Sequence, residues 1–520
     1  MDGNEVFSGK SGAVRKWDPS EEYVLIADFS KIDEPGKYQL VTHNDRSYPF
    51  EIAKNLHSDL LKASIKAYYF NRASMEIEEK YGKPWHRPAG HPDDTVYIHP
   101  SAAGPERKAG DIISSSKGWY DAGDYNKYIV NSGISMYTLL TAYERYSHIF
   151  DTLTIDFPEQ HNDLPDLIDE ILWNLRWMQT MQDPDDGGVY HKMTSAGFCD
   201  KIMPHEDDDK RWVVQKTTAA TLDFAAVMAQ SSRVLRKFED QLPGLADSCL
   251  AQAKKAWEWA EKTPEILYEQ DEMNKEHKPS IVTGAYDDKR VGDEKFWAAA
   301  ELYVATKDEK YGEALEWNDD YFEVPSWQSV GLLGIMTLAR DESKENDYQG
   351  KARRKLMGVA RNLSSTFRRS AYSTSMGHSI EGDFVWGSNG MAGNHILVLS
   401  EAYHQRSRNI FKRTINGNFQ YLAGNNATGY SFITGFGTKS PMNPHHRPSK
   451  ADGVDDPVPG FLVGGPHDGR QDGCAYEHTE PAKAYVDTWC SYATNEVTIN
   501  WNAPLVYAVA TVIHLNYPKK

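Results

Sequence analysis

The sequence predicts a mainly α fold, an (α/α)6 barrel of six inner and six outer helices, preceded by a small β module. Two observations carry that expectation. From residue 57 onward apolar residues recur at spacings of three and four, the repeat of a one-sided helix. Before residue 52 they cluster in short runs broken by turn residues.

The helical repeat is clearest over 163–181, where Leu164, Leu167, Ile168, Ile171, Leu172 and Leu175 share one face and Asp163 is the expected N-cap. Similar patterns mark 57–78, 131–146, 215–236, 243–262, 293–306, 310–318, 325–340, 347–367, 389–405, 407–422 and 500–515. That gives about twelve helices with almost no strands between them, and twelve helices joined as hairpins close six inside six. In the first segment, Tyr23–Ile26, Tyr38–Val41 and Tyr48–Ile52 are apolar runs, with Pro35 and Gly36 as a turn. Three or four strands are part of a sandwich rather than a whole one. The expected domains are therefore 1–52, a partial β module, and 57–520, the helical barrel. Polar connections at 83–124, 183–214 and 424–495 read as long loops, the kind that usually carry function.

Composition narrows the partners. Lys and Arg total 57 against 75 Asp and Glu, a net charge of −18 that repels phosphate backbones and anionic lipid. Nucleic acid and membranes are thereby disfavoured, and no apolar run reaches the roughly 18 residues of a membrane span. A neutral polymer meets no such repulsion, and 14 Trp with 29 Tyr supply flat rings suited to sugars. Cys199, Cys249, Cys474 and Cys490 form no C-x-x-C pair and allow three pairings. Buried free thiols are the expected state, because a free Cys behaves as a small hydrophobe. The opening MDGNEVFSGKSGAVRKWD has no apolar leader, so either the protein is cytoplasmic or its leader has been removed.

Three segments hold candidate chemistry. In GWYDAGDYNKY, residues 118–128, an Ala and a Gly between Asp121 and Asp124 let the chain turn tightly and bring two carboxylates together. Such a pair suits holding and deprotonating a water, and the plainer reading is a solvated Asx-turn. In SFITGFGTKSPMNPHHRP, residues 431–448, a Gly- and Pro-stiffened loop presents His445, His446 and Arg447 to sugar hydroxyls or a carboxylate. No third ligand at metal spacing stands beside the two His, which argues against zinc there. In YVDTWCSYATNEVTINWNAPLVYAVA, residues 485–510, Glu496 lies among Trp489, Tyr492 and Trp501. Aromatic surroundings desolvate a carboxyl and favour its protonated form, as a general acid requires, although an acid before a helix also complements the dipole.

Taken together these segments resemble the active-site signatures of glycoside hydrolase family 9, mainly endo-β-1,4-glucanases and related cellulases. Tyr485, Asp487, Tyr492, Glu496, Thr498, Asn502 and Ala503 match the last signature. Ser431, Ile433, Thr434, Gly437, Lys439, Pro444, His445 and Arg447 match the middle one. The resemblance spans about 57–515, and the β module is similar to the tail of the immunoglobulin-like domain found in one subgroup. It implies inverting hydrolysis of β-1,4-glucan with Glu496 as acid, Asp124 as base and Asp121 fixing the water. The acid and base would stand about 6.5–9.5 Å apart. His445, Arg447 and Asp487 are implied to contact substrate or steady the acid. Trp386, in the aromatic run 382–390, is a stacking candidate, as are Tyr430 and Tyr492; core packing is the rival reading for each. Endo action is expected of a monomer acting on a β-glucan polysaccharide or oligosaccharide outside the cytoplasm, secreted or periplasmic. A closed cleft end, for which 83–117 is long enough, would instead give an exo enzyme. Loss of reactivity would leave a carbohydrate-binding protein.

No cofactor is required for this chemistry. The subgroup's zinc site is doubtful here, because His86 and His91 lack partnering cysteines. Structural calcium has candidate ligands in Asp183–Asp186 and Glu206–Asp209, although solvated acidic loops explain both runs.

Overall fold

The computed structural model describes residues 3–43, 45–343, 347–377 and 380–516. Outer and inner helices alternate along the chain. The outer ones are α1 (Ser58–Phe70), α3 (Asp166–Thr180), α5 (Leu245–Lys262), α7 (Glu309–Glu313), α9 (Asp347–Arg369) and α11 (Asn409–Leu422). The inner ones are α2 (Ile129–Phe150), α4 (Thr218–Leu235), α6 (Gly292–Thr306), α8 (Gly331–Arg340), α10 (Ser388–Gln405) and α12 (Ile499–Asn516). Each inner helix packs on the next inner one, and α12 returns to α2, closing the ring.

The sequence sets which helices go inside. In α8 every residue from Gly331 to Ala339 is buried, because a ring helix meets neighbours on all sides. In α9 burial is confined to a stripe including Ala352, Leu356, Ala360, Leu363 and Phe367, the pattern of a helix with one wet face. The α3 helix starts later than its periodicity suggests. Pro165 occupies the cap position and disfavours helical geometry at Leu164, so Asp163 makes no cap.

The polar connections are more ordered than expected. Strands β5 (Val96–Ile98), β6 (Ile112–Ile113), β7 (Lys127–Tyr128), β8 (Lys192–Thr194) and β9 (Arg211–Val213) form one sheet in the order β6-β5-β9-β8-β7. The β5–β9 pair is parallel and the others antiparallel. Strands of two or three residues are too short to show alternation in sequence, which is why the segments read as loops. In the N-terminal module, β1 (Arg15–Trp17) pairs with β2 (Glu22–Val24) and β3 (Gly36–Tyr38) with β4 (Phe50–Ile52). Trp17 anchors the first hairpin to the barrel, its ring 4.7 Å from that of Tyr372.

The cysteines also depart from expectation. Cys474 and Cys490 are joined in a disulfide, their Cα atoms 6.0 Å apart, whereas Cys249 is a buried free thiol and Cys199 a partly buried one. Pairing depends on spatial approach across the 424–495 connection, which residue spacing does not encode.

Ion pairs close one end of the ring. Toward the C-terminal ends of the inner helices, Glu401 of α10 takes Arg145 of α2 at 2.7 Å and Arg340 of α8 at 3.8 Å. The Tyr507 hydroxyl of α12 also donates to Glu401, at 2.8 Å. Arg233 of α4 meets Glu301 of α6 at 2.5 Å. The two arginines hold the fully buried Glu401 carboxyl down at about 2 against the opposing effect of burial. Removing one partner of such a network leaves buried charge uncompensated. Glu401→Ala should therefore lower the unfolding free energy by about 3–5 kcal/mol in denaturant titration. A loss under about 1 kcal/mol would show that the network is dispensable.

Candidate active site

With their C-terminal ends tied together, the inner helices open at the other end into a cavity of about 870 Å3. Its wall is built from the residues that precede those helices. Asp121, Ala122, Asp124 and Tyr128 lead into α2, Gly284–Tyr286 come before α6, and Pro325–Gln328 before α8. Val385–Gly387 precede α10, and Glu496 and Thr498 precede α12. Helix N-termini present unpaired N–H groups and positive dipole ends, a setting that favours carboxylates.

Asp121 and Asp124, both buried, are fixed by different partners. Asp121 Oδ1 accepts from Asn131 Nδ2 at 2.6 Å and its Oδ2 from the Tyr286 hydroxyl at 2.7 Å. Asp124 Oδ2 accepts from Asn126 Nδ2 and from the Tyr128 hydroxyl at 3.3 Å. Burial, then the neighbouring Asp124 carboxylate, pushes Asp121 up to about 8. Glu496 comes to the same place from the far end of the chain. Its Oε1 faces Gly123 N at 3.4 Å, and its carbonyl accepts from Gly464 N at 2.9 Å. Burial, then Asp124 and Asp121, push its carboxyl well above the ordinary glutamate range.

His445 and Arg447 line the cavity with them. The imidazole stacks on Trp489 at 4.4 Å, and its Nδ1 is 2.8 Å from the Trp489 carbonyl, which fixes the ring. Arg447 spends its donors on backbone: Nη1 bonds Gly123 O at 2.7 Å and Nη2 bonds Cys199 O at 3.0 Å. It braces the Asp121–Asp124 turn more than it presents a free fork. Trp386, 46% exposed, stands at the cavity wall with Tyr492 at 5.4 Å, which sets aside the core-packing alternative for Trp386.

Two expected site residues do not line the cavity themselves. Asp487 takes the N–H groups of Met442 and Asn443 at 2.8 Å and Asn495 Nδ2 at 3.1 Å. It ties the His445 loop to the residue before Glu496, an arrangement that fits the second expected role, steadying the acid. Tyr430 packs edge-on against Tyr485 at 5.0 Å beneath Lys439, outside the cavity lining. Sequence reasoning missed Tyr286, Trp327 and Phe198, all of which line the cavity. No motif surrounds them. Asn126 and Tyr128, by contrast, lay inside the GWYDAGDYNKY segment and were legible as polar neighbours of the pair.

Several of the residues weighed as metal ligands have protein partners. His91 contacts the Tyr120 hydroxyl at 2.9 Å and Asp207 at 3.2 Å, His86 faces the Lys83 carbonyl, and Asp183 pairs with Lys216 at 2.6 Å. Among the described residues no three His, Cys, Asp or Glu side chains converge as a metal site.

A helical toroid whose open end gathers two aspartates, a proton-retaining glutamate and exposed aromatic rings defines a polysaccharide-hydrolase type of site. The chain belongs to glycosyl hydrolase family 9, whose profile matches residues 57–509; that of the cellulase N-terminal ig-like domain matches 1–47. It is 44% identical over 512 residues to the xyloglucan-specific endo-beta-1,4-glucanase of Bacteroides ovatus, covering 97% of this chain and 87% of that one. With endoglucanase D of Acetivibrio thermocellus it shares 32% identity over 530 residues, 100% of this chain and 79% of the relative. The solved Bacteroides ovatus GH9 structure superposes with a TM-score of 0.93 at 42% identity, covering 99% of this chain and 93% of that one.

Gly123 is where these parts meet most closely. A Cβ there would overlap the His445 carbonyl oxygen and lie 2.8 Å from its ring carbon Cδ2. Gly123→Ala should force the His445–Arg447 loop away from the aspartate turn and cut glycan turnover by about 10²-fold, the scale of a 1 Å misplacement. Initial rates on a soluble β-glucan check it, with melting temperature as the folding control.

Proposed function

We propose that this chain cleaves internal β-1,4-glucosidic bonds in a single displacement that inverts the anomeric carbon. Glu496 acts as acid, Asp124 as base, and Asp121 orients the water. The reading rests on one observation above all: a glutamate that retains its proton faces the same cavity as an aspartate pair held ready by Asn126, Tyr128, Asn131 and Tyr286. Glu496 passes its proton to the departing glycosidic oxygen as the C1–O bond breaks. Water attacks C1 from the opposite face and loses its proton to Asp124. The paired aspartates divide the work: two adjacent buried carboxylates resist ionising together, so one takes the proton while the other orients.

Endo action is supported by the relatives' names and by the 83–117 segment, none of whose residues lines the cavity. That segment instead supplies β5 and β6 of the sheet. The Bacteroides ovatus relative acts on xyloglucan, and a branched β-1,4-glucan is accordingly the substrate we assign first. The Cys474–Cys490 disulfide favours an oxidising compartment, periplasmic or extracellular, where such polymers occur. Among the described residues no helix is long and apolar enough to cross a membrane.

Proton NMR of products from a fresh digest should show α anomers first; initial β anomers would contradict single displacement. Glu496→Gln should slow glucan hydrolysis by at least about 10²-fold yet spare an aryl glycoside whose leaving group needs no proton. Equal losses on both substrates would remove Glu496 from the acid's role. Because Glu496 holds its proton above the usual carboxylate range, activity should persist as pH rises past about 4–5 and fall only as that raised value is crossed. A kcat profile that declines already at that pH would count against it.

A further inference from the structure

Trp386 and Tyr492 reach the cavity wall from different parts of the chain, and a third segment, residues 467–474, is tied to both parts. On one side, the Phe384 carbonyl, two residues before Trp386, accepts from Asp468 N at 3.0 Å and lies 3.2 Å from His467 Nδ1. On the other side, the Tyr492 hydroxyl donates to the Gln471 carbonyl at 3.0 Å. The Gln471 side chain reaches back to His467 Nε2 at 2.5 Å, which braces the span between the two attachments.

Asp472 fastens the second attachment. Its Oδ2 accepts from Ser491 Oγ at 2.6 Å and from Ala493 N at 3.3 Å, so one oxygen grips the residues on both sides of Tyr492. The Tyr476 hydroxyl donates to the same oxygen at 2.7 Å, and Cys474 N donates to Oδ1 at 3.0 Å. Burial opposes ionisation here, yet the donors of Ser491, Tyr476, Cys474 and Ala493 outweigh it and hold the carboxyl below the ordinary aspartate range. Ser491 in turn caps the short helix Tyr492–Asn495, accepting from Thr494 N at 3.1 Å. The Cys474–Cys490 disulfide closes the same seam covalently, beside Ser491.

We propose that Asp472 is a positioning residue for glucan binding, fixing the Tyr492 ring beside Trp386 from outside the cavity so that the sugar chain meets a ready-made aromatic wall. The inference rests on the reading that a glucan chain lies in this cavity. The two ring centres stand 5.4 Å apart, and Asp472 itself does not line the cavity. A ring already held in place loses less freedom when the chain arrives, and that saving appears as affinity. Asp472 touches none of Asp121, Asp124 and Glu496, so its effect falls on binding and leaves the chemical step alone.

The test compares kcat and KM on a soluble β-1,4-glucan for the unaltered enzyme, Asp472→Ala, Asp472→Asn and Trp386→Ala, with melting temperature alongside. Asp472→Ala should raise KM by about two- to tenfold, the scale of ordering one side chain on binding, and leave kcat in place. Asp472→Asn keeps one oxygen for Ser491, Tyr476 and Ala493, and its KM should fall between the two. A lowered melting temperature with KM unmoved in Asp472→Ala, the mark of a merely structural carboxylate, overturns the proposal. A loss confined to kcat does the same. If Asp472→Ala does not fold, Tyr492→Phe replaces it: the ring stays, the bond to Gln471 goes, and an unmoved KM overturns the proposal. Trp386→Ala separates the two readings. An unmoved KM there shows that the chain does not lie along this wall, whereas a raised KM there beside an unmoved one in Asp472→Ala refutes only the role of Asp472.

Discussion

The peptide at Gly123 carries three attachments that the rest of the site depends on. Its N–H faces the Glu496 carboxyl, its carbonyl takes both the backbone N–H and the guanidinium of Arg447, and its bare α-carbon lies against the His445 backbone. Segments near residues 123, 445 and 496 are thus drawn to one point. Proximity then creates the chemistry. Three carboxyl groups crowded into a desolvated cavity cannot all ionise, so Glu496 keeps its proton.

The barrel makes this crowding affordable by separating its two ends. At one end, arginines neutralise Glu301 and Glu401 and tie the inner helices into a ring. At the other, the helix N-termini are free to bear loops, and their dipoles offset part of the carboxylate burden.

Much of this was legible beforehand. The helical repeats located the twelve helices to within several residues, failing most at 57–78, which overruns the helix end, and at 325–340, which starts too early. Asp121, Asp124 and Glu496 were legible because tight-turn glycine and aromatic neighbours surround them in sequence. For Asp487 and Tyr430 a motif gave residue identity but not direction, and the alternatives stayed open. Asp487 faces the amides of Met442 and Asn443, which only the folded loop reveals. The five-stranded sheet stayed hidden because its strands are too short to alternate and their partners are distant in the chain.

By itself, then, the sequence determined the run of about twelve helical repeats from which a toroid was expected, and the kinds of chemical groups available at its mouth. Periodicity and local turn chemistry are properties of neighbouring residues, so they can be read without folding the chain. Tertiary structure alone decided that residues 121, 286 and 496 share one cavity, that Cys474 meets Cys490, and that burial beside two aspartates raises the Glu496 carboxyl. Those outcomes depend on distance and dielectric between segments hundreds of residues apart, and neither exists until the ring closes.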